Sequence, residues 1–395
     1  MHLKKFKIPA KKVGASRDLP SSDPVWIEID SKAIKKNFQE IKKTVGPKVF
    51  VMGMVKANAY GHGIKGVSKL FEEAGADYLG VNNLTEALSL REEGIDLPIL
   101  ILNEVNKKDL ELVVKNNFEF VGYNLDYLKE LDSIAADLDK KIKIHLKIDT
   151  GMGRMGINLD QINDLIKLIP KLKFSKIAGI MTHFAASDDL KKRSYFQSQL
   201  QQFQEILFEF QKADLNVPLR HTANSAATLL YPESHFDLVR IGLTLYGLWP
   251  SYDVSKKRSK DIKLTPVLSL KTKIVQIKTV KKGNCIGYGC TFKAPNDIKI
   301  AILPIGYAEG YGRALSNQAE VLINGKRAPV RGRVSMNLTV VEIDRIPEAK
   351  VGDEVIVIGK QGKEEITVDD LAKISETINY EIVTRLSESL PRVVI

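Results

Sequence analysis

A chain of 395 residues has room for two domains with sizeable cores, and 44% hydrophobic against 27% charged residues is ordinary for a soluble globular protein. No apolar run approaches the ~20 residues that cross a bilayer, and the basic start, Met1 to Lys12, lacks the apolar core and cleavage site of a secretory signal. The net charge of +11 is spread over lysines interspersed with Asp and Glu, without Arg and aromatic interleaving, which argues for a solvated surface and against nucleic-acid binding. The expected location is the cytoplasm, with no membrane partner. Cys285 and Cys290 are too few for a disulfide framework and have no neighbours to complete a zinc site, so no metal is expected and both read as reduced thiols.

In chain order, residues 1–23 form a Lys-, Pro- and Ser-rich arm that need not pack. Trp26–Asp30 alternates as a strand, and Asp30 or Ser31 caps a helix with Ile34, Phe38 and Ile41 at helical spacing. Strand and helix then alternate. The strands fall at 49–56, 78–81, 98–102, 120–123, 143–148, 177–182, 219–221 and 238–240, and the longest helix at about 188–213. Eight such units over some 200 residues predict a parallel (β/α)8 barrel spanning 24–257. An open doubly wound sheet is the rival, but no Gly-x-Gly-x-x-Gly is present. Residues 250–264 read as a polar linker. From 258 to 395 the pattern is mostly β, with runs at 266–277, 298–305, 338–343 and 354–358, an Asn324-Gly325 hairpin turn and one helix near 368–375.

In a barrel of this kind chemistry collects at the carboxyl ends of the strands. Lys56 ends the first strand in Val55-Lys56-Ala57-Asn58-Ala59-Tyr60-Gly61-His62-Gly63. Burial there lowers an amine's pKa toward one that forms a Schiff base, although a strand-end lysine equally snorkels to solvent. Arg154 follows the fifth strand in a glycine-rich loop and suits a carboxylate; His183 follows the sixth and suits a flat ring. Asn224-Ser225 opens a helix after the seventh strand, and Arg240 with Gly242-Leu243 follows the eighth, both offering backbone contacts for a phosphate. Each has a plainer reading alone, such as a helix cap or a structural histidine. Their convergence on one end of a barrel does not.

The Lys56–His62 segment, together with the features at the later strand ends, resembles the alanine racemases over nearly the whole chain from Trp26 onward. That resemblance implies a pyridoxal 5′-phosphate (PLP) enzyme interconverting L- and D-alanine for peptidoglycan. Lys56 would carry the cofactor. Tyr60, Ser225, Gly242, Leu243 and Tyr380 would hold its phosphate, His183 would pack on its ring, and Asn224 would lie in its polar surround. Arg240 would face the pyridine nitrogen. A guanidinium keeps its proton near neutral pH, so that nitrogen stays unprotonated and the weakened electron sink favours racemisation over transamination.

The resemblance also implies a second base opposite Lys56: Tyr288, in Cys285-Ile286-Gly287-Tyr288-Gly289-Cys290, acting in the partner's site of a homodimer. Without the family it reads as a turn tyrosine whose pKa of about 10 is high for a base. Met336 would bind substrate carboxylate together with Arg154, and Tyr307 would narrow the entrance. Lys147 occupies a position that family members carbamylate; its plainer reading is a barrel lysine paired with a carboxylate. Asn337 stands where the family usually has Asp, which puts the local electrostatics in question. Alternatives are a broader amino-acid racemase accepting serine, a PLP decarboxylase of the same architecture, and a non-catalytic PLP-binding protein, against which the second domain with Tyr288 and Met336 speaks.

Overall fold

The computed structural model describes residues 23–395; the basic arm read over 1–23 lies, but for Asp23, outside them. The first strand, β1 (Val25–Ile29), is not part of a barrel. It pairs antiparallel with β10 (Leu268–Lys273) and parallel with Arg392–Val394, so the start and end of the described chain share one sheet of the second domain. The helix Ser31–Val45 follows, with Asp30 as its cap: the Asp30 carboxylate accepts from the Lys32 and Ala33 N–H groups at 2.9 Å each. Ile34, Phe38 and Ile41 form its buried stripe.

Eight parallel strands come next: β2 (Phe50–Met54), β3 (Tyr78–Val81), β4 (Ile99–Ile101), β5 (Glu119–Gly122), β6 (Ile142–Lys147), β7 (Ser175–Met181), β8 (Leu219–His221) and β9 (Leu238–Ile241). They lie in the order β8-β7-β6-β5-β4-β3-β2-β9. Backbone hydrogen bonds from Asp237 N–H to Arg220 O and from Arg240 N–H to Ala223 O, both 3.0 Å, join the two edges into a barrel. Alternation sends Met52 and Met54 inward with Leu100, Val121, Met181 and Leu238, which fill the interior, while Val51 faces the helical ring. The open doubly wound sheet is excluded.

The stretch expected as a linker at 250–264 holds a short helix, Tyr252–Arg258, because the Ser251 hydroxyl caps it by accepting from Val254 N–H at 3.3 Å. In the second domain the run expected at 266–277 divides into β10 and a strand at Gln276–Val280. The latter joins Ile298–Leu303 and Thr339–Glu342 in a separate three-stranded sheet. Asn324 (φ 51°) and Gly325 (φ 73°) make the expected hairpin turn. Besides the expected helix, seen at Val368–Ile374, a second runs from Asn379 to Thr384. Its polar start hides it in the sequence; Asn379 anchors it by donating to Trp249 O and to Asp369, both 2.9 Å. Among the described residues no helix is long and apolar enough to cross a membrane.

Cys285 and Cys290 are joined by a disulfide, with Cα atoms 5.0 Å apart, which corrects the expectation of two reduced thiols. Their separation of five residues in a tight hairpin is what brings them together.

The two domains lock at the lysine segment. Gly61 sits at φ 80°, and a Cβ there would collide with the Val383 carbonyl on the Asn379–Thr384 helix. Arg392 from the last strand donates to Gly61 O through Nε (3.1 Å) and Nη2 (2.9 Å). Gly61→Ala therefore combines a strained φ with a backbone clash and should lower stability by more than about 1 kcal/mol, measured by chemical denaturation of wild type and variant. A change within about 0.5 kcal/mol would contradict this packing.

Candidate functional site

Lys56 leaves the end of β2 into a turn of unusual hand: Ala57, Asn58, Ala59 and Tyr60 all have φ between 51° and 53°. Four successive non-glycine residues in the left-handed region are costly and persist only where surroundings fix them. Ala59 N–H bonds Val55 O (2.8 Å), Gly63 N–H bonds Asn58 O (2.9 Å), and the Asn58 side chain accepts from Ile64 N–H (2.8 Å). Glu86 accepts from Ala57 N–H at 2.7 Å. The result aims Lys56 and Tyr60 into one cavity of about 870 Å³ at the carboxyl end of the barrel.

That cavity is lined by Lys56, Tyr60, Lys147, Arg154, His183, Asn224, Ser225, Arg240, Gly242, Leu243 and Tyr380, which are all the candidates read from the barrel together with the one from the last helix. Four of them are cations. Burial lowers the Lys56 pKa, with Arg154 and Arg240 adding to it. Burial, then Arg154 and Arg240, brings Lys147 down to about 8. The carboxylates whose charge Lys56 and Lys147 feel, Glu86 and Asp149, are engaged by backbone: Glu86 by Ala57 and Asn82, Asp149 by the N–H groups of Gly151, Met152, Gly153 and Arg154. The paired-carboxylate reading of Lys147 is thus not realised. A cavity rich in positive charge at the end of an apolar barrel fits a ligand carrying more than one negative group.

One wall forms a cradle. Tyr60 and Tyr380 have ring centroids 6.2 Å apart, and burial raises both phenols, Tyr380 to about 12, so both keep a proton to donate. Ser225 Oγ accepts from Gly242 N–H at 3.1 Å and keeps its own O–H for a ligand. A Cβ on Gly242 would strike the Tyr60 hydroxyl, so only glycine leaves this space open. Asn224 takes its plainer role as well: its Oδ1 caps the next helix at Ala227 N–H (3.0 Å) while accepting from the Ser187 hydroxyl (2.9 Å).

Arg240 is buried, which lowers its pKa to about 9 and leaves it charged at neutral pH. Nη1 donates to His221 O (2.7 Å), and Nη2 to Thr182 O (2.7 Å) and Thr222 O (3.0 Å). Nη2 also lies 3.3 Å from His183 Nδ1 and Nη1 lies 3.1 Å from His221 Nδ1. The second of these contacts begins a chain that sequence reading missed. His221 Nε2 is 2.8 Å from His145 Nδ1, and His145 Nε2 is 2.8 Å from Glu119. Because a guanidinium only donates, His221 Nδ1 must accept. His221 Nε2 then carries the proton, His145 Nδ1 accepts it, and His145 Nε2–H donates to Glu119. The tautomers are fixed from one end to the other. Gly179 makes the room: a Cβ there would lie 2.5 Å from His145 Nδ1. A signal was available, since His145 and Lys147 are two apart on β6 and Glu119 is an acid at the head of an apolar strand.

Tyr288, Tyr307 and Met336 do not line the cavity of their own chain. They lie in the second domain at 71%, 44% and 56% exposure. Tyr307 N–H bonds Ser335 O (3.1 Å) and Ala308 N–H bonds Met336 O (2.9 Å), while Gly287 and Gly289 beside Tyr288 pack on Arg333, so the three belong to one surface. Asn337 donates to Glu309 at 2.7 Å, and Glu309 accepts from Gly306 N–H at 2.8 Å. An Asp at 337 would set a second carboxylate against Glu309; the amide is the group that fits.

Residues 29–250 match the family model described as "Alanine racemase, N-terminal domain", and residues 267–394 match "Alanine racemase, C-terminal domain". The chain is 42% identical to an alanine racemase of Methanococcus maripaludis, covering 94% of this chain and 99% of that one. Among solved structures, an alanine racemase from Clostridium difficile 630 superposes with a TM-score of 0.89 at 36% identity, covering 95% and 96% of the two chains. A histidine racemase from Leuconostoc mesenteroides subsp. sake superposes at 0.86 with 28% identity, over 96% and 100%.

The proton chain gives a test independent of any ligand. Glu119→Leu leaves His145 Nε2–H buried without an acceptor and should lower stability by about 1–3 kcal/mol in chemical denaturation, whereas Glu119→Gln, which keeps an acceptor, should lose less. Equal losses in the two variants would contradict the assigned direction of the chain.

Proposed function

Because the chain belongs to the alanine racemase family, we propose that this cavity racemises alanine with PLP, using Lys56 on one face of the substrate and Tyr288 of a second copy on the other. One observation carries the reading. Every barrel candidate gathers with Tyr380 in a single cationic cavity, while Tyr288, Tyr307 and Met336 stay exposed together on the second domain. Such a site is half built in one chain. A homodimer completes it, and residues 258–395, with β1 added to their sheet, serve as the domain that reaches the partner.

The residues fit PLP. The cradle of Tyr60, Ser225 and Tyr380, opened by Gly242 and flanked by Leu243, suits its phosphate; Gly242 contributes space, since its N–H goes to Ser225. Lys56, with its lowered pKa, would hold the cofactor's aldehyde carbon, His183 would lie against its ring, and Asn224 would belong to its polar surround. With both terminal nitrogens of Arg240 engaged, its Nε–H is the donor that would be left to face the pyridine nitrogen. When bound, PLP supplies the electron-withdrawing ring that acidifies the α-proton of an attached amino acid. The protein then moves that proton. Lys56 Nζ takes or returns it on one face, and the partner's Tyr288 hydroxyl does so on the other.

Arg154 and the partner's Met336 N–H hold the substrate carboxylate, and Tyr307 with Tyr288 narrows the entrance toward a methyl-sized side chain. Lys147 has a usable neutral amine near pH 8, and a carbamate there would place an anion beside Arg154. The product, D-alanine, supplies peptidoglycan in the cytoplasm. A broader amino-acid racemase, one accepting serine for example, is the alternative reading; a histidine racemase on the same fold is the observation that favours keeping it.

The test is α-proton exchange in deuterated water. Wild type should convert L-alanine to α-deuterated D-alanine, and Lys56→Ala should lose the absorbance of the Schiff base with PLP. Tyr288→Phe should lose at least about 100-fold in exchange of the L-alanine α-proton while still exchanging that of D-alanine. Bound PLP with no exchange on alanine or serine would overturn the proposal.

A further inference from the structure

The disulfide brackets the residue proposed as the second base. Cys285 and Cys290 are bonded across five residues, with Tyr288 between them. The hairpin that carries them is minimal: Cys285 pairs with Lys293 and Ile286 with Phe292. Beyond those two pairs the tip holds three residues of positive φ, Gly287 and Gly289 at 71° and Cys290 at 48°. Glycine occupies that region freely; Cys290 does so against the preference of its side chain. On the far side of the tip, Asn317 donates to the Thr291 hydroxyl at 3.1 Å and accepts from Gly332 N–H at 2.6 Å, so it steadies Thr291 rather than Tyr288. The cross-link is therefore the closest covalent restraint on a tyrosine that is 71% exposed. A ring this short constrains the unfolded chain little, so its effect is local. In the single chain Cys285 is itself exposed.

We propose that Cys285 and Cys290 form a thiol–disulfide modification site that tunes the catalytic centre: bonded, they hold Tyr288 in its working position, and reduced, they release it. The inference rests on the racemase reading of Tyr288. In oxidation the two thiols each give up a proton, a bond forms between the Sγ atoms, and the two electrons pass to a low-molecular-weight disulfide, which leaves as two thiols. A dithiol runs the reverse. Release of Cys290 lets its backbone leave the left-handed region, and a displacement of a catalytic hydroxyl by about 1 Å costs up to about 100-fold in rate.

The experiment uses the full-length, PLP-loaded protein equilibrated with oxidised glutathione or with reduced dithiothreitol. The redox state is read by mass, a difference of about 2 Da per chain. Hydrogen exchange over residues 285–293 and the racemisation rate are followed together, with Cys290→Ser and Cys285→Ser beside wild type. Reduction should speed exchange in that segment and slow racemisation by about 3- to 10-fold, reversibly, while both variants stay at the reduced value in either buffer. Wild type whose segment does not loosen, or whose segment loosens with the rate unchanged, overturns the proposal, as does a protein with two free thiols in oxidised glutathione. If alanine is racemised in neither state yet the segment still responds, the racemase reading fails and the restraint stands.

Discussion

Positive charge gathered at the carboxyl end of the barrel is the constraint on which the other features depend. Lys56, Lys147, Arg154 and Arg240 line one cavity, and the carboxylates nearest in effect, Glu86 and Asp149, spend their oxygens on backbone N–H groups. Such a cluster is unfavourable while empty of anions, and it lowers the amines it contains. Burial, helped by the same repulsion, makes Lys56 a usable amine, and the charge left in the cavity fits a ligand with more than one negative group. Arg240 is the fixed point of the cluster. Three carbonyls and the imidazole chain ending at Glu119 hold its guanidinium, so a buried cation has its terminal donors satisfied and a distant anion to face.

The second constraint is mechanical. A left-handed turn of four non-glycine residues sets the direction of Lys56 and Tyr60, and it survives because the second domain braces it: Val383 fills the space beside Gly61, and Arg392 grips its carbonyl. The domain that presents Tyr288 outward thus also shapes the lysine that Tyr288 would oppose. Tyr380 belongs to the same bracing helix, so one short helix both lines the cavity and props the lysine turn.

Much of this was legible beforehand. Apolar runs broken by helical patterns gave the eight barrel strands to within a residue or two, because a strand buried on both faces has few polar positions to obscure it. Residues at strand ends stood out as polar groups next to apolar runs. What stayed hidden depends on contacts distant in sequence. Nothing local marks Trp26–Ile29 as a strand of the second domain, since its partners lie more than 200 residues away. The Asn379–Thr384 helix is short and held by side-chain bonds rather than by an apolar stripe. Glu119, His145 and His221 come from three strands and become a chain only when the barrel closes. The cysteines read as free thiols because composition cannot see a hairpin.

The central claim, that each working site is made of two chains, is tested most directly by mixing. Lys56→Ala and Tyr288→Phe chains, each inactive alone, are combined in equal amounts and allowed to exchange subunits. In the mixed dimer one site carries both defects and the other carries none, so random exchange should restore about a quarter of wild-type racemase activity. A mixture that stays inactive although mixed dimers are present would mean that Lys56 and Tyr288 serve the same chain, and the shared site would be wrong.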